Sequence, residues 1–368
     1  MTRSSAIASI EEIIDEARNG HPYILVDAED RENEGDVIVP AQFATPERIT
    51  HMATHARGLI CLALTAGRAA DLKLEQMSRN NRSGHGTAFT VSIEAREGVT
   101  TGISAFDRAR TISVAVHPEC GPEDIVSPGH VFPLVARDGG VLVRAGHTEA
   151  AVDISRLAGL IPAGVICEVM NEDGTMARLP DLVTFAKRHG MKIGTIADLI
   201  AYRRRSEKLV EQVAAGPFET HYGEGFKIHI YRDLVDNGEH VVLVKGDVTP
   251  DCDTLVRVHQ VDLTADMLGL RSAHHDYVPK ALRLLAAHDG PAVAVFLHDP
   301  DPQSLSHRIK GGRQDYAERQ SQRDYGIGAQ ILRDLGVERM ILLTSSTRKM
   351  AALEGFGLEI VGRQSIEE

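Results

Sequence analysis

Apolar residues at Ile10, Ile13, Ile14 and Ala17 recur at i, i+3, i+4 and i+7, the spacing of one face of a helix. Ser9 stands three residues ahead of Glu12, the signature of a capping box, and Gly20 ends the pattern. Beyond this helix, short apolar runs separated by polar breaks predict strands at residues 23–26, 37–39, 59–64, 89–93, 112–116, 141–143 and 165–169. Thr45-Pro46 predicts a helix start, and a second helix is expected from about Thr148 to Leu160. The apolar rhythm fades at residues 202–216, where Arg203-Arg204-Arg205 leads through Ala214-Ala215-Gly216 into Pro217. It restarts with predicted strands at 226–230, 241–244, 292–297 and 340–343 and helices at 278–287 and 327–335. Irregular alternation of strands and helices points to an α/β (α+β) fold of two domains, each a mixed β-sheet layered with helices. The predicted divisions are 1–205, a linker at 206–224, and 225–368.

Composition narrows the function classes. At about 150 residues per domain, 368 residues fit two domains, and 43% hydrophobic with 25% charged residues is ordinary globular usage. A net charge of -12 and 4% aromatic residues argue against phosphate-backbone binding and base stacking, so nucleic acid is not an expected partner. A local basic pocket could still hold a small anion. Cys61, Cys120, Cys167 and Cys252 lie far apart and form no C-x-x-C pair, which fits a reducing cytoplasm. The first ten residues hold no apolar signal core, and no run approaches the ~18 apolar residues of a membrane span, so neither export nor a membrane partner is expected.

Several common sites are missing from the sequence. It has no Gly-Lys dipeptide and so no P-loop, no complete G-x-G-x-x-G, and no H-E-x-x-H. His117-Pro-Glu119 and His147-Thr-Glu149 match half of a zinc deaminase signature, without the following P-C-x-x-C. The densest charge cluster, Asp27 to Asp36, lies between two apolar strands. Its carboxylates are hard ligands suited to Mg²⁺ or Mn²⁺, and Arg31 among them could hold an anionic substrate; a charged hairpin tip is the plainer alternative. Arg144-Ala145-Gly146-His147-Thr148 joins an apolar run to a helix start, where free backbone N–H groups favour phosphate. His147 there could be a ligand, a general base or a structural residue. His130, and His85 between two glycines, sit in tight loops. Glu168 interrupts an apolar run, and burying a carboxylate is costly unless it is paired or metal-bound.

Five motifs in order resemble the 3,4-dihydroxy-2-butanone 4-phosphate synthase family: Asp30-Arg-Glu-Asn-Glu-Gly-Asp36, Gly98-Val-Thr-Thr-Gly102, Pro128-Gly-His-Val-Phe-Pro133, Gly146-His-Thr-Glu-Ala150 and Gly174-Thr-Met-Ala-Arg178. The resemblance covers about residues 10–202. It implies conversion of ribulose 5-phosphate to 3,4-dihydroxy-2-butanone 4-phosphate and formate by a homodimer using two Mg²⁺ or Mn²⁺ ions. By position it implies metal ligation by Glu32 and His147, and substrate contacts from Arg31, Glu32, Asp36 and Arg144, Ala145, Gly146, His147 and Thr148. His130 and Glu168 take the catalytic positions. From about Gly225 to Ile366 the chain resembles GTP cyclohydrolase II, with Arg323, Thr344 and Lys349 at its nucleophile and nucleotide positions. The three zinc-binding cysteines of that family have no counterparts in Val258-His-Gln-Val-Asp262 or in residues 269–275. His259, Asp262, His274 and His275 could form a substitute site, but the expectation is a degenerate domain without catalytic zinc.

Overall fold

The computed structural model describes residues 6–78, 80–81, 86–270, 276–299, 305–306, 326–344 and 356–366, and the chain divides into two units after Arg203. The first unit opens with α1 (Ile10–Arg18), where the capping box forms as predicted: Ser9 Oγ accepts from the Glu12 N–H at 3.2 Å and Glu12 Oε2 accepts from the Ser9 N–H at 2.9 Å. There follow β1 (Tyr23–Val26), β2 (Gly35–Pro40), α2 (Pro46–His51), β3 (Cys61–Leu64), α3 (Ala66–Asp71), β4 (Ile93–Ala95), α4 (Ala105–Val116), β5 (Ile125–Val135), α5 (His147–Leu157), β6 (Ala163–Glu168), α6 (Leu179–His189), β7 (Ile193–Thr195) and α7 (Ile196–Ser206). A π turn, Met52–Ala56, prolongs α2.

The seven strands form one mixed sheet in the order β4-β5-β3-β6-β2-β1-β7. Alternation along β1 sends Ile24 and Val26 to a core shared with Ile49 of α2, Ile112 of α4 and Leu182 of α6. Tyr23 and Leu25 go to a second core with Ile13 of α1, Ile154 of α5 and Leu199 of α7. Both faces of the sheet are therefore covered, and every position of β1 and β2 is buried, which explains why these strands read as apolar runs rather than alternating ones. β2 lies between β1 and β6, with Asp36 opposite Leu25 on one side and Glu168 on the other. Charged residues are thus carried to one end of the adjacent buried strands β1, β2 and β6.

In the second unit β8 (Val210–Thr220), β9 (Gly223–Asp233), β10 (Glu239–Lys245), β11 (Asp253–Gln260), α8 (Leu263–Asp266), α9 (Tyr277–Ala287), β12 (Ala292–Leu297), β13 (Arg339–Leu343) and β14 (Glu359–Gln364) follow. Their sheet runs β14-β13-β11-β12-β10-β9-β8, parallel from β14 to β12 and antiparallel from β10 to β8. Leu282 and Leu285 of α9 pack on Leu243, Leu255 and Ala294.

Four sequence expectations are corrected. Residues 89–93 hold only isolated bridges at Phe89 and Thr90, and the strand of this region, β4, begins at Ile93. Residues 112–116 are the last turns of α4, which Ser104 caps by accepting from the Asp107 N–H. Residues 141–143 lie in and beside a single 3₁₀ turn, Gly140–Leu142, where Asp153 Oδ2 accepts from the Val141 N–H at 2.8 Å. The stretch read as a linker, 206–224, is largely β8, an edge strand paired along its length with β9.

Candidate active site

The site grows from the turn that joins β1 to β2. Asp27, the first residue after β1, organises that turn: its carboxylate accepts from the Glu34 N–H at 2.8 Å, the Glu32 N–H at 3.0 Å and Arg31 Nη1 at 2.9 Å. Burial raises the Asp27 pKa, but these donors outweigh it and hold the carboxyl below its usual range. Arg31 also reaches Glu32 Oε2 at 2.6 Å. Asn33 adopts φ 56°, the left-handed conformation that lets the chain turn back into β2.

His147, at the first turn of α5, is buried beneath this loop. Its Nε2 lies 3.2 Å from the carbonyl oxygen of Leu25. An acceptor there requires an N–H, so the lone pair falls on Nδ1, which faces Asp36 Oδ1 at 3.8 Å and Glu32 Oε2 at 3.9 Å. Burial lowers the His147 pKa despite Asp27 and Glu32, which favours the neutral ring. Ligand atoms of Asp27, Glu32 and His147 lie within 4.8 Å of one another. Asp36 is buried and its Oδ1 has no hydrogen-bond partner. Burial, then the charges of Glu168, Glu32, Glu34 and Asp27, push its carboxyl well above the usual range. Burial and Glu32 likewise raise Glu34. An orphaned buried oxygen in a crowd of carboxylates, beside one imidazole lone pair, fits a hard divalent cation.

Arg31, Glu32, Asp36, Arg144, His147, Thr148 and Glu168 line one cleft of about 140 Å³. Arg144 Nη1 bonds Glu149 Oε2 at 2.6 Å and its Nη2 bonds Thr87 Oγ1 at 3.0 Å, which fixes the guanidinium at the cleft wall. Ala145 and Gly146 lead into α5, whose first turn has no side-chain cap, a start suited to an anion. Glu168 Oε2 accepts from the Leu59 N–H at 2.8 Å. Gly58 makes this approach possible, since a Cβ there would stand 2.5 Å from the same oxygen.

A family profile described as 3,4-dihydroxy-2-butanone 4-phosphate synthase matches residues 11–202, and one described as GTP cyclohydrolase II matches residues 211–365. A riboflavin biosynthesis protein RibBA of Aquifex aeolicus is 51% identical over 376 residues, covering 98% of this chain and 92% of its own. The chain belongs to the 3,4-dihydroxy-2-butanone 4-phosphate synthase family. It is a lyase of riboflavin biosynthesis with a second domain of the GTP cyclohydrolase II family. The crystal structure of RibBX, a two-domain synthase from A. baumannii, is 44% identical with a TM-score of 0.79, covering 97% of this chain and 99% of that one. A synthase solved with two magnesium ions is 40% identical with a TM-score of 0.52, covering 54% of this chain and 98% of its own.

Against the synthase motifs, His130 stands apart. It lies on β5, half-buried, with Nδ1 3.0 Å from Glu94 Oε2, and does not line the cleft. Asp27 and Glu34, members of the acidic cluster given no individual role in the sequence, belong to the site, and Thr87, which was not named, lines the cleft and holds Arg144. In the second domain Thr344 is buried at the end of β13, its N–H donating to the Gln364 carbonyl. Arg323 and Lys349 lie outside the described residues. His259 pairs with Asp266 at 2.8 Å rather than with Asp262, whose carboxylate caps α8. His274 and His275 lie outside the described residues.

Proposed function

We propose that the first domain converts D-ribulose 5-phosphate to 3,4-dihydroxy-2-butanone 4-phosphate and formate. The observation that carries this reading is one cleft lined by Glu32, Asp36, Glu168 and His147, with Arg31 and Arg144 in its wall. Enolisation, a skeletal shift and loss of one carbon each build negative charge on neighbouring sugar oxygens. Two Mg²⁺ or Mn²⁺ ions held by Glu32 and His147, beside Asp27, supply Lewis-acid stabilisation of that charge. The remaining work falls to side chains. Asp36, its carboxyl raised by burial and by Glu168, can hold a proton and return it. Glu168, in register with Asp36 and anchored by Leu59, stands beside it. Arg31, Arg144, Thr148 and the open turn at Ala145 and Gly146 grip the phosphate. The test is formate release from ribulose 5-phosphate: Glu32→Ala and His147→Ala should each abolish it, and a fully active variant would overturn the assignment.

On this reading the protein works as a homodimer, and His130, outside the cleft of its own chain, acts in that of a second copy. Four free thiols suit a reducing cytoplasm. We further propose that the second domain does not hydrolyse GTP. The stretches that carry zinc ligands in its family hold no cysteine here, and Cys252 lies before both. His259 and Asp262 are engaged by Asp266 and by the start of α8. Without ligands for zinc, an activated water has no evident source. A diaminopyrimidine product from zinc-loaded protein and GTP would refute this.

A further inference from the structure

Away from the cleft, a second set of ligand-bearing side chains converges in the first domain. Nitrogens of His51, His55 and His189 lie within 4.8 Å of one another. His51 ends α2 and His55 lies in the π turn that continues it. Four residues apart, they share one helical face, with ring centroids 4.9 Å apart. His189 ends α6 and brings its ring to 4.8 Å from His51 and 4.7 Å from His55. His51 Nε2 and His189 Nδ1 are 3.1 Å apart. Around a tetrahedral Zn²⁺ with Zn–N bonds of about 2.0–2.1 Å, ligand nitrogens stand about 3.3–3.5 Å apart, so this pair already has the scale of a chelate.

Ring packing does not account for the arrangement. Phe185 stacks on His189 at 4.4 Å, but apolar stacking gains nothing from ring nitrogens that face each other. His51 and His189 can satisfy one hydrogen bond between them, while among the described residues neither ring nitrogen of His55 has a hydrogen-bond partner. His55 and His189 also line a cavity of about 220 Å³ with Arg57, Glu172 and Asp181 in its wall, which leaves room for a water or an anion as a fourth ligand.

We propose that His51, His55 and His189 form a second metal centre, for a borderline transition cation of the Zn²⁺ class, which ties the end of α2 to the end of α6. Its three imidazoles differ in kind from the oxygen-rich cleft and select nitrogen-preferring cations over Mg²⁺.

The test uses the untagged full chain, stripped of metal and held in excess Mg²⁺ so that the cleft is occupied. Zn²⁺ is titrated by calorimetry, and Co²⁺ is followed by its visible absorption. The wild type should bind one more equivalent of Zn²⁺ than His55→Gln/His189→Gln, and only the wild type should give the intense bands of tetrahedral Co²⁺. His147→Gln should keep both signals, which separates this site from the cleft. Should the double variant fail to fold, the single His55→Gln, whose ring is half-buried, carries the same comparison. Equal Zn²⁺ stoichiometry and affinity in the wild type and the His55 variants would overturn the proposal.

Discussion

Replacing Asp36 by Asn should make the metal-free protein more stable while removing its activity. The Asp36 carboxylate is buried in the sheet, has an oxygen without a partner, and faces the charges of Glu168, Glu32, Glu34 and Asp27. An amide of the same size carries no charge and can donate to one of those carboxylates. Relieving a buried unsatisfied acceptor is worth about 1–3 kcal/mol, which in a domain of this size raises Tm by about 2–12 °C. The sign of the pH dependence follows from linkage. The folded carboxyl titrates well above its ordinary 3.8, so between that value and the raised one the folded state keeps a proton that the unfolded state releases. Stability contributed by this group is present below 3.8 and is lost as pH rises through the folded pKa. Calorimetric melting in EDTA should therefore show the wild type losing stability with rising pH across this window, and Asp36→Asn following a flatter curve from a higher Tm. Mg²⁺ at about 100-fold above its Kd adds about 2.7 kcal/mol, and this gain should shrink in the variant. A lower Tm for Asp36→Asn in EDTA at neutral pH would refute the reasoning, because it would mean that the carboxylate stabilises the empty fold.

Gly58→Ala would set a Cβ 2.4 Å from the Glu168 carbonyl oxygen and 2.5 Å from its Oε2; formate release should fall and melting should report a loss of about 1–3 kcal/mol. Ser9→Ala removes the cap of α1 far from the cleft and should cost about 1 kcal/mol in melting with formate release unchanged. Arg203 and Asp153 form a buried pair at 2.8 Å, so Arg203→Met should cost about 3–5 kcal/mol, much of it recovered when Asp153→Asn is added. Mixing His130→Ala with Glu32→Ala should restore formate release that neither variant shows alone, provided that the two chains exchange; no recovery from co-expressed chains would count against a shared homodimer site.

The elements legible in the sequence were those whose local signals and tertiary fate agree. The capping box at Ser9 and Glu12, the apolar runs of β1 and β6 and the Gly-His-Thr start of α5 all fall where the pattern puts them. Residues 112–116 misled because buried Ile112, Val114 and Val116 are β-branched and alternate with exposed Ser113 and small Ala115, a period of two that mimics a strand over so short a window. β5 escaped notice because Pro128, Gly129 and Pro133 lie within it, residues that ordinarily argue against a strand. β8 escaped because most of its residues are exposed, leaving an edge strand without alternation. For the cleft, the acidic run and the Gly146-His147 step fall together in one pocket, whereas His130 lies outside it. The raised carboxyl of Asp36 depends first on its burial in the sheet and then on Glu168 opposite it, and the three-histidine cluster depends on a partner at the end of α6; none of this leaves a local mark.

The pairing of β2 with β6 also orders events in time. Asp36 and Glu168 are opposite one another in the sheet, so the cleft cannot take shape until the chain has been made as far as β6 and that long-range register is set. Contacts of such separation form late relative to local helices, which makes cation binding a reporter of sheet completion rather than of local collapse. Every cleft residue described above precedes residue 169. During synthesis the walls of the cleft are thus in hand while all of β8 to β14 has still to be translated.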